Sequence, residues 1–429
     1  MKLLVIGSGG REHALVWALG RTERPALKIY CAPGNAGIAR VAECVPLSAT
    51  DTEALARFSE EQGIGLTIVG GEAPLAAGVV DEFERRGLLI AGPRLDAARL
   101  ESSKAFAKDF MARHHIPTAR YAVADSAVRA LELLRSGQFG AEDSGVVVKA
   151  DGLAAGKGVV VARTRREAEG AVNDLMLGGA VGTEAARRIV IEEALEGREA
   201  SLLLFSDGRD YKLMPAARDH KRIGEGDTGP NTGGMGAITD KSVLDDEALH
   251  RIVRDIVEPT LEGARSEGFP FRGVLFIGLM WTAEGPRVLE YNVRFGDPET
   301  QAILVRLESD LVDIFEAVAR GSLKEVKVRW SDDASACVVL AARGYPARPE
   351  TGAEIKGLGG ASHSRGVEVF HAGTALDEAG RWITAGGRVL GVTARDETLD
   401  GALKRCYTAI DDIRWDGMQY RRDIGKFVE

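Results

Sequence analysis

The stretch RVLEYNVRFGDPETQ, residues 287–301, holds the residue types best suited to chemistry. On a strand, side chains two apart share a face, so Glu290 and Asn292 point the same way, and Arg294 joins them if the strand continues. Two oxygen donors and a cation then converge. Mg²⁺ commonly takes one or two protein oxygens and completes its shell with nucleotide phosphates and water, a role that fits Glu290 and Asn292. A bare Glu-x-Asn pair also arises by accident on strand faces. Its continuation into Arg294-Phe295-Gly296-Asp297-Pro298-Glu299 makes the pattern far more specific.

Two glycine clusters point to phosphates. In Asp151-Gly152-Leu153-Ala154-Ala155-Gly156-Lys157-Gly158 the glycine spacing is too short for a P-loop, and no Ser or Thr follows the lysine to hold Mg²⁺. The segment also joins two strands instead of opening a helix. It reads as a flap over phosphates, with Lys149 before it and Lys157 within it as charge partners; a plain surface hairpin would have no use for so many glycines. The turn Gly7-Ser8-Gly9-Gly10-Arg11-Glu12 aims free backbone N–H groups and a helix N-terminus at a ligand. A dinucleotide is disfavoured: Glu12 replaces the third glycine of that fingerprint, and the second strand ends in Cys31-Ala32-Pro33 with no acid for a ribose diol. A phosphorylated small substrate is expected there, a tight turn without ligand being the plain alternative.

A polar, glycine-rich loop contains Asp219-His220-Lys221-Arg222 and the run 227–236, with too few apolar residues to be core. His220 has no accompanying serine or cysteine nucleophile motif, and no histidine pair has metal spacing, so it is read as a loop contact rather than a base.

The elements that position these residues alternate at first between strand and helix. KLLVIG, a helix over 11–19, LKIYCA, a helix over 51–62, LTIVGG, a helix over 75–86 and LLIAG predict a parallel α/β domain. One helix is expected over 100–115, with Ser102 or Ser103 as its N-cap. Strand pairs around glycine loops follow at 145–162 and 188–205, then a long helix over 247–267 and a hairpin over 273–291. A third block opens with ASACVVLAARGYP after Trp330. The fold class is α/β and α+β multidomain, with boundaries near 101 and 330 and all three blocks packed together.

The 429-residue length agrees with about three domains, and 45% apolar with 28% charged residues is ordinary globular composition. A net charge of −9 works against nucleic acid, whose affinity rests on Lys and Arg neutralising phosphates. The four cysteines are isolated and read as buried thiols. MKLLVIG is too short for a secretory signal and the apolar run VLFIGLMW too short to span a bilayer, so a cytoplasmic location with no membrane partner is expected.

GGREHAL, APGNAG, GLAAGKGV, DHKR with DTGPNTGGMGA, and RFGDPETQ stand here in the order found in the glycinamide ribonucleotide synthetase (phosphoribosylamine–glycine ligase) family of the ATP-grasp superfamily, which the chain resembles from Met1 to Gly425. The resemblance implies an N-terminal parallel α/β (pre-ATP-grasp) domain at 1–101, a two-lobed ATP-grasp core at 102–329 with a flap lobe at about 120–195, and a C-terminal mixed α/β domain at 330–429. It implies ATP between the lobes, with Lys104, Lys149 and Lys157 near the phosphates, Glu192, Glu193, Ala194 and Leu195 facing adenine, and Glu199 as ribose ligand. Glu290 and Asn292 match the family's ligands for Mg²⁺ or Mn²⁺, and Asn231 lies in a loop that closes on the nucleotide.

The reaction implied is ATP, glycine and 5-phosphoribosylamine giving glycinamide ribonucleotide, ADP and phosphate through a glycyl phosphate, a step of purine biosynthesis. A carboxylate is a poor electrophile, so phosphorylating glycine creates the leaving group that the ribosylamine nitrogen displaces. Positioning and charge stabilisation suffice, with no protein nucleophile. Lys157 and Arg294 are expected beside the transferring group, the phosphate of 5-phosphoribosylamine at Gly9, Gly10 and Arg11, and glycine with its carboxylate on Arg294 and its ammonium on Asp297. A monomer is expected. Gly71 stands where the family usually has proline, and strand 274–280 carries no second metal carboxylate. The alternatives are another ATP-grasp ligase, such as a carboxylase of the biotin or aminoimidazole type, and a non-catalytic nucleotide sensor; the retained Glu290, Asn292, Lys149 and Lys157 argue against the sensor.

Overall fold

An uninterrupted apolar run such as LLVI at 3–6 has no face for water and must be covered on both sides. In the computed structural model, which describes residues 1–154, 158–178, 182, 185–361 and 366–427, strand Lys2–Gly7 lies at the centre of a five-stranded parallel sheet with Leu3, Leu4, Val5 and Ile6 buried. Lys28–Pro33 and Leu66–Val69 flank it, and Glu43–Cys44 and Ile90–Ala91 form the edges. Strand order reverses between Lys2–Gly7 and Leu66–Val69, and open parallel sheets bind ligands at the carboxyl ends of strands at such a point. That reversal sets the turn after Gly7 against Gly70, whose Cβ, if it had one, would fall 2.2 Å from Glu12 Oε1.

Two expected helices are broken, each for a local reason. The helix over 75–86 is instead Glu72–Ala76 and Val79–Arg85, parted where Gly78 takes φ 79°. The helix over 100–115 is Leu95–Ser102 followed by Lys104–Arg113. Ser103 between them is extended, and its hydroxyl accepts from the Phe106 N–H as N-cap of the second. The break places Lys104 at the first position of a helix.

Val146–Ala150 and Val159–Ala162 pair as expected, inside a four-stranded antiparallel sheet with Ile189–Glu193 and Tyr121–Ala124. The pair expected at 188–205 is not a hairpin: Ile189–Glu193 belongs to this sheet and Arg198–Asp207 to the next. Two adjacent strand patterns look the same whether they pair together or with other partners; residues 194–197 cross from one sheet to the other.

Arg198–Asp207 pairs with Arg272–Thr282, which forms the expected hairpin with Gly285–Asn292. On its other side the nine-stranded sheet runs through Ala217–Asp219 and Gly236–Thr239 into Ala334–Ala341, Arg388–Asp396 and Val367–His371. The third block is thus joined to the second by a hydrogen-bonded ladder. The long helix is continuous in sequence but has a π turn, Val253–Val257, between Asp246–Ile252 and Glu258–Ser266. Pro259 has no N–H for the carbonyl four residues back, and the wider turn ahead of it absorbs the missing bond. Leu4 and Ile6 share one apolar core with Leu275 and Val288, which ties the first sheet to the large one. Among the described residues no helix is long and apolar enough to cross a membrane.

Candidate active site

The two lobes and the first domain, with Arg388 of the third block, line a cavity of about 400 Å³. Lys104, Lys149, Glu192, Glu290, Asn292 and Arg294 line it, joined by Arg11 and Asp297. Gly9, Gly10, Glu193, Ala194, Leu195, Glu199 and Asn231 are not part of its described wall. Lys157 lies outside the described residues.

At one end of the cavity lysines dominate. Helix Lys104–Arg113 carries Lys108 one turn beyond Lys104, and both reach the cavity. Lys108 Nζ lies 2.8 Å from Glu192 Oε2 and Lys149 Nζ 2.9 Å from Glu192 Oε1, all three side chains being buried. The second contact is an ion pair without hydrogen-bond alignment. Burial lowers Lys108 to about 8 even though Glu192 opposes it. Lys104 pairs with no carboxylate among the described residues; its Nζ donates to Gly152 O at 3.4 Å, and burial lowers its pKa. Asp151 anchors this corner, accepting from Ser103 Oγ, the Ala105 N–H and Arg188. The next strand residue, Glu193, turns outward to Arg120, as strand alternation requires. Glu199 is held by Lys221 at 2.5 Å.

Glu290 sits between the two ends. Burial alone would raise its pKa, but Lys149, Lys221, Lys104 and Arg294 outweigh that and hold the carboxyl below its ordinary value. It is an ionised oxygen donor beside Asn292, whose Oδ1 accepts from Arg294 at 3.1 Å. No group of three His, Cys, Asp or Glu among the described residues is arranged to hold a metal alone. A divalent cation at Glu290 and Asn292 therefore needs oxygens from a ligand, which is the behaviour of Mg²⁺ on a nucleotide.

The other end is built from arginines already paired. Arg294 donates to Glu72 Oε2 at 3.1 Å, to Asn292 and to the Phe295 carbonyl, and lies 2.8 Å from Glu101 Oε1. Burial raises Glu101 despite Arg294, whereas Glu72, where Arg294 and Arg11 outweigh burial, is held below its ordinary value. Arg11 donates to Glu12 Oε1 at 2.7 Å and to Phe295 O at 3.0 Å. The turn expected to offer free N–H groups is partly closed: Gly9 N–H donates to Glu12 Oε2 at 2.6 Å. The glutamate in the third fingerprint position packs against Gly7, Gly9 and Gly70. Asp297 is also engaged, with Gln301 Nε2 at 2.8 Å on Oδ1 and Arg388 at 2.9 Å on Oδ2.

Asp219, Lys221, Thr232 and Gly233 of the polar loop line the cavity, whereas its His220 is fastened by the C-terminal segment. His220 Nε2 accepts from the Gly425 N–H at 2.9 Å and its ring stacks on Phe427; burial lowers its pKa to about 4. It does not line the cavity.

Sequence reasoning missed Lys108, Glu72, Glu101 and Arg388, all of which line the cavity. Lys108 had a signal, four residues after Lys104 on one helix face. Glu101 and Arg294 meet across 193 positions of sequence, and Arg388 reaches Asp297 from the third block, so neither carries a local pattern.

Residues 1–101 match the family model of the phosphoribosylglycinamide synthetase N domain, 102–300 its ATP-grasp (A) domain and 335–427 its C domain. The chain is 50% identical over 428 residues to the phosphoribosylamine–glycine ligase of Xylella fastidiosa, covering 99% of this chain and 97% of that one. The crystal structure of phosphoribosylamine–glycine ligase from Thermotoga maritima matches with TM-score 0.84 and 34% identity, over 99% of this chain and 100% of that one. The biotin carboxylase domain of Hydrogenobacter thermophilus 2-oxoglutarate carboxylase matches over 98% of this chain and 91% of that one with TM-score 0.70; at 16% identity that likeness is of fold alone. With three domain models matched in order and half its residues shared with a relative over nearly its whole length, the chain belongs to the phosphoribosylglycinamide synthetase family.

Proposed function

We propose that this protein joins glycine to 5-phosphoribosylamine, consuming ATP and forming glycinamide ribonucleotide, ADP and phosphate in purine biosynthesis. The observation that carries this reading is the 50% identity over 99% of the chain to a phosphoribosylamine–glycine ligase, and the cavity's chemistry agrees with it. Lys104 and Lys149 face the ATP phosphates, and Lys157, outside the described residues, is assigned to them from the family resemblance alone. Lys104, a cation with no carboxylate partner among the described residues, is the best placed of the described pair to meet incoming negative charge. Adenine lies along 192–195, with Glu192 held by two lysines and the crossing segment supplying backbone groups. Glu199 takes the ribose, and Asn231 comes with the loop that covers the nucleotide.

Glu290 and Asn292 would hold Mg²⁺ or Mn²⁺, which would supply neutralisation of the nucleotide's phosphate charge. Arg294, fixed by four protein partners, presents a planar cation to glycine's carboxylate as it is phosphorylated. The phosphate of 5-phosphoribosylamine is assigned to Gly10 and Arg11, with Gly9 adding less because its N–H is committed to Glu12. Asp297 holds Arg388 in place and is a poorer ammonium ligand than the sequence suggests. The protein acts as a monomer in the cytosol.

The test is phosphate release with ATP while glycine and 5-phosphoribosylamine are supplied singly and together. Release requiring both is expected; full-rate release with either omitted overturns the reading.

A further inference from the structure

A zwitterion such as glycine needs two opposite charges, held a few ångströms apart, at the reacting end of the cavity. Arg294 is the cation. Glu290 beside it is assigned to the metal and Glu299 is almost fully buried; of the other carboxylates lining this end, Glu72 and Glu101 touch Arg294 and Asp297 follows it in sequence, and the hydrogen bonds separate these three. Glu101 has both oxygens committed, Oε2 to the Val293 N–H at 2.8 Å and Oε1 to Arg294 at 2.8 Å. Asp297 is likewise committed on both, to Gln301 and Arg388. Glu72 differs. It accepts from Arg294 Nε on Oε2 at 3.1 Å, and among the described residues its Oε1 accepts from no other residue. Its side chain is 33% exposed, against 7% for Glu101 and 17% for Asp297, and it lines the cavity.

We propose that Glu72 is the residue that holds the ammonium of the amino-acid substrate, its Oε1, to which no other described residue donates, and the guanidinium of Arg294 forming one plus-and-minus cradle for a small zwitterion. This rests on the reading that the chain is a glycine ligase and replaces Asp297 in that role. Arg294 keeps Glu72 ionised and oriented, and the ammonium in turn neutralises Glu72 when glycine's carboxylate shares Arg294. Held as an ammonium, the nitrogen has no lone pair with which to attack another acyl phosphate, so only the acceptor amine can react.

The test uses the full-length enzyme, with glycine as substrate and glycolate, which has a hydroxyl in place of the ammonium, as competitive inhibitor. Glu72→Gln keeps shape and removes charge. The expected result is a rise in KM for glycine of about ten- to a hundredfold, from loss of a charge-assisted hydrogen bond, with KM for ATP and the inhibition constant of glycolate changed little. Glu72→Asp should recover part of the preference for glycine over glycolate. Asp297→Asn should leave that preference as it is. A Glu72→Gln enzyme that weakens glycine and glycolate alike, or that leaves KM for glycine unaltered, overturns the proposal, as does loss of the preference in Asp297→Asn. Failure of the underlying reading is separate: a wild-type enzyme with no glycine-dependent turnover would show it before any variant was compared.

Discussion

At the nucleotide end of the cavity Lys104 pairs with no carboxylate among the described residues, and Lys108 and Lys149 share one, Glu192. At the opposite end Arg11, Arg294 and Arg388 each lie against a carboxylate of their own surroundings. The first arrangement leaves positive charge uncompensated, as suits a polyphosphate that arrives with its own excess of negative charge. The second is close to balanced, as suits a ligand that carries both signs. The choice of side chain follows. A lysine is a compact point charge whose pKa falls readily on burial, while a guanidinium stays charged and fixes geometry through several donors at once.

The largest effect is expected where the two ends meet. Glu290→Gln with Asn292→Ala should lower turnover by about a thousandfold or more, since it removes the carboxylate charge and the amide oxygen proposed for the metal. The fold should persist, because Glu290 and Asn292 contribute to the cavity wall rather than to the apolar core. Circular dichroism and steady-state rates at ordinary Mg²⁺ check this, and near-normal turnover sinks the metal assignment.

Arg294→Ala should come next, lowering kcat about a hundredfold with every substrate saturating. It should also destabilise the protein by about 3–5 kcal/mol, because Glu101 is left buried without its cation. Arg294→Lys should recover little, since one ammonium cannot reach Glu72, Glu101, Asn292 and the Phe295 carbonyl together. Recovery of most activity by lysine would erase the distinction between the two ends.

Lys108→Met should raise KM for ATP by about tenfold, because Glu192 loses one of its two cations. The wild-type enzyme should show the same weakening as pH rises through about 8, where Lys108 gives up its proton. The variant should not show that limb. The arginine end should give no counterpart, since guanidinium groups keep their protons throughout. Measuring KM for ATP from pH 6.5 to 9.5 in both enzymes decides it; an identical alkaline limb in the variant removes Lys108 from the explanation.

The same division governs what could be read from the sequence. The nucleotide end rests on patterns of short range: Lys149 ahead of a glycine loop, and Glu290 with Asn292 two apart on a strand. Lys108 falls within that reach too, one turn from Lys104 on the same helix face. The arginine end has no such range. Arg11, Arg294 and Arg388 come from three blocks, and Arg388 meets Asp297 only because strand Arg388–Asp396 joins the sheet that begins in the middle block. Fold type was legible from strand and helix periods, as in the parallel first sheet. Partner choice was not, which is why 188–205 looked like a hairpin and is two strands in separate sheets.

The smallest effect expected is that of Arg11→Ala, and it is the sharpest probe of how the acceptor is held. Arg11 spans two domains, donating to Glu12 Oε1 beside it and to the Phe295 carbonyl next to Arg294. Its loss leaves Glu12 without the arginine, yet Glu12 keeps the Gly9 N–H, so the turn should survive. Neither contact involves the lysine end, and ATP binding should hold. If Arg11 and the Gly10 turn receive the phosphate of 5-phosphoribosylamine, KM for that substrate should rise by about three- to tenfold while kcat and KM for ATP stay within about twofold. Ribose 5-phosphate, which keeps the phosphate and lacks the amine, should lose inhibitory potency by the same factor, whereas ribose should be indifferent to the substitution. Weaker ATP binding with unchanged KM for 5-phosphoribosylamine would mean that the turn after Gly7 serves the nucleotide, and that the balanced end of the cavity is not where the acceptor sits.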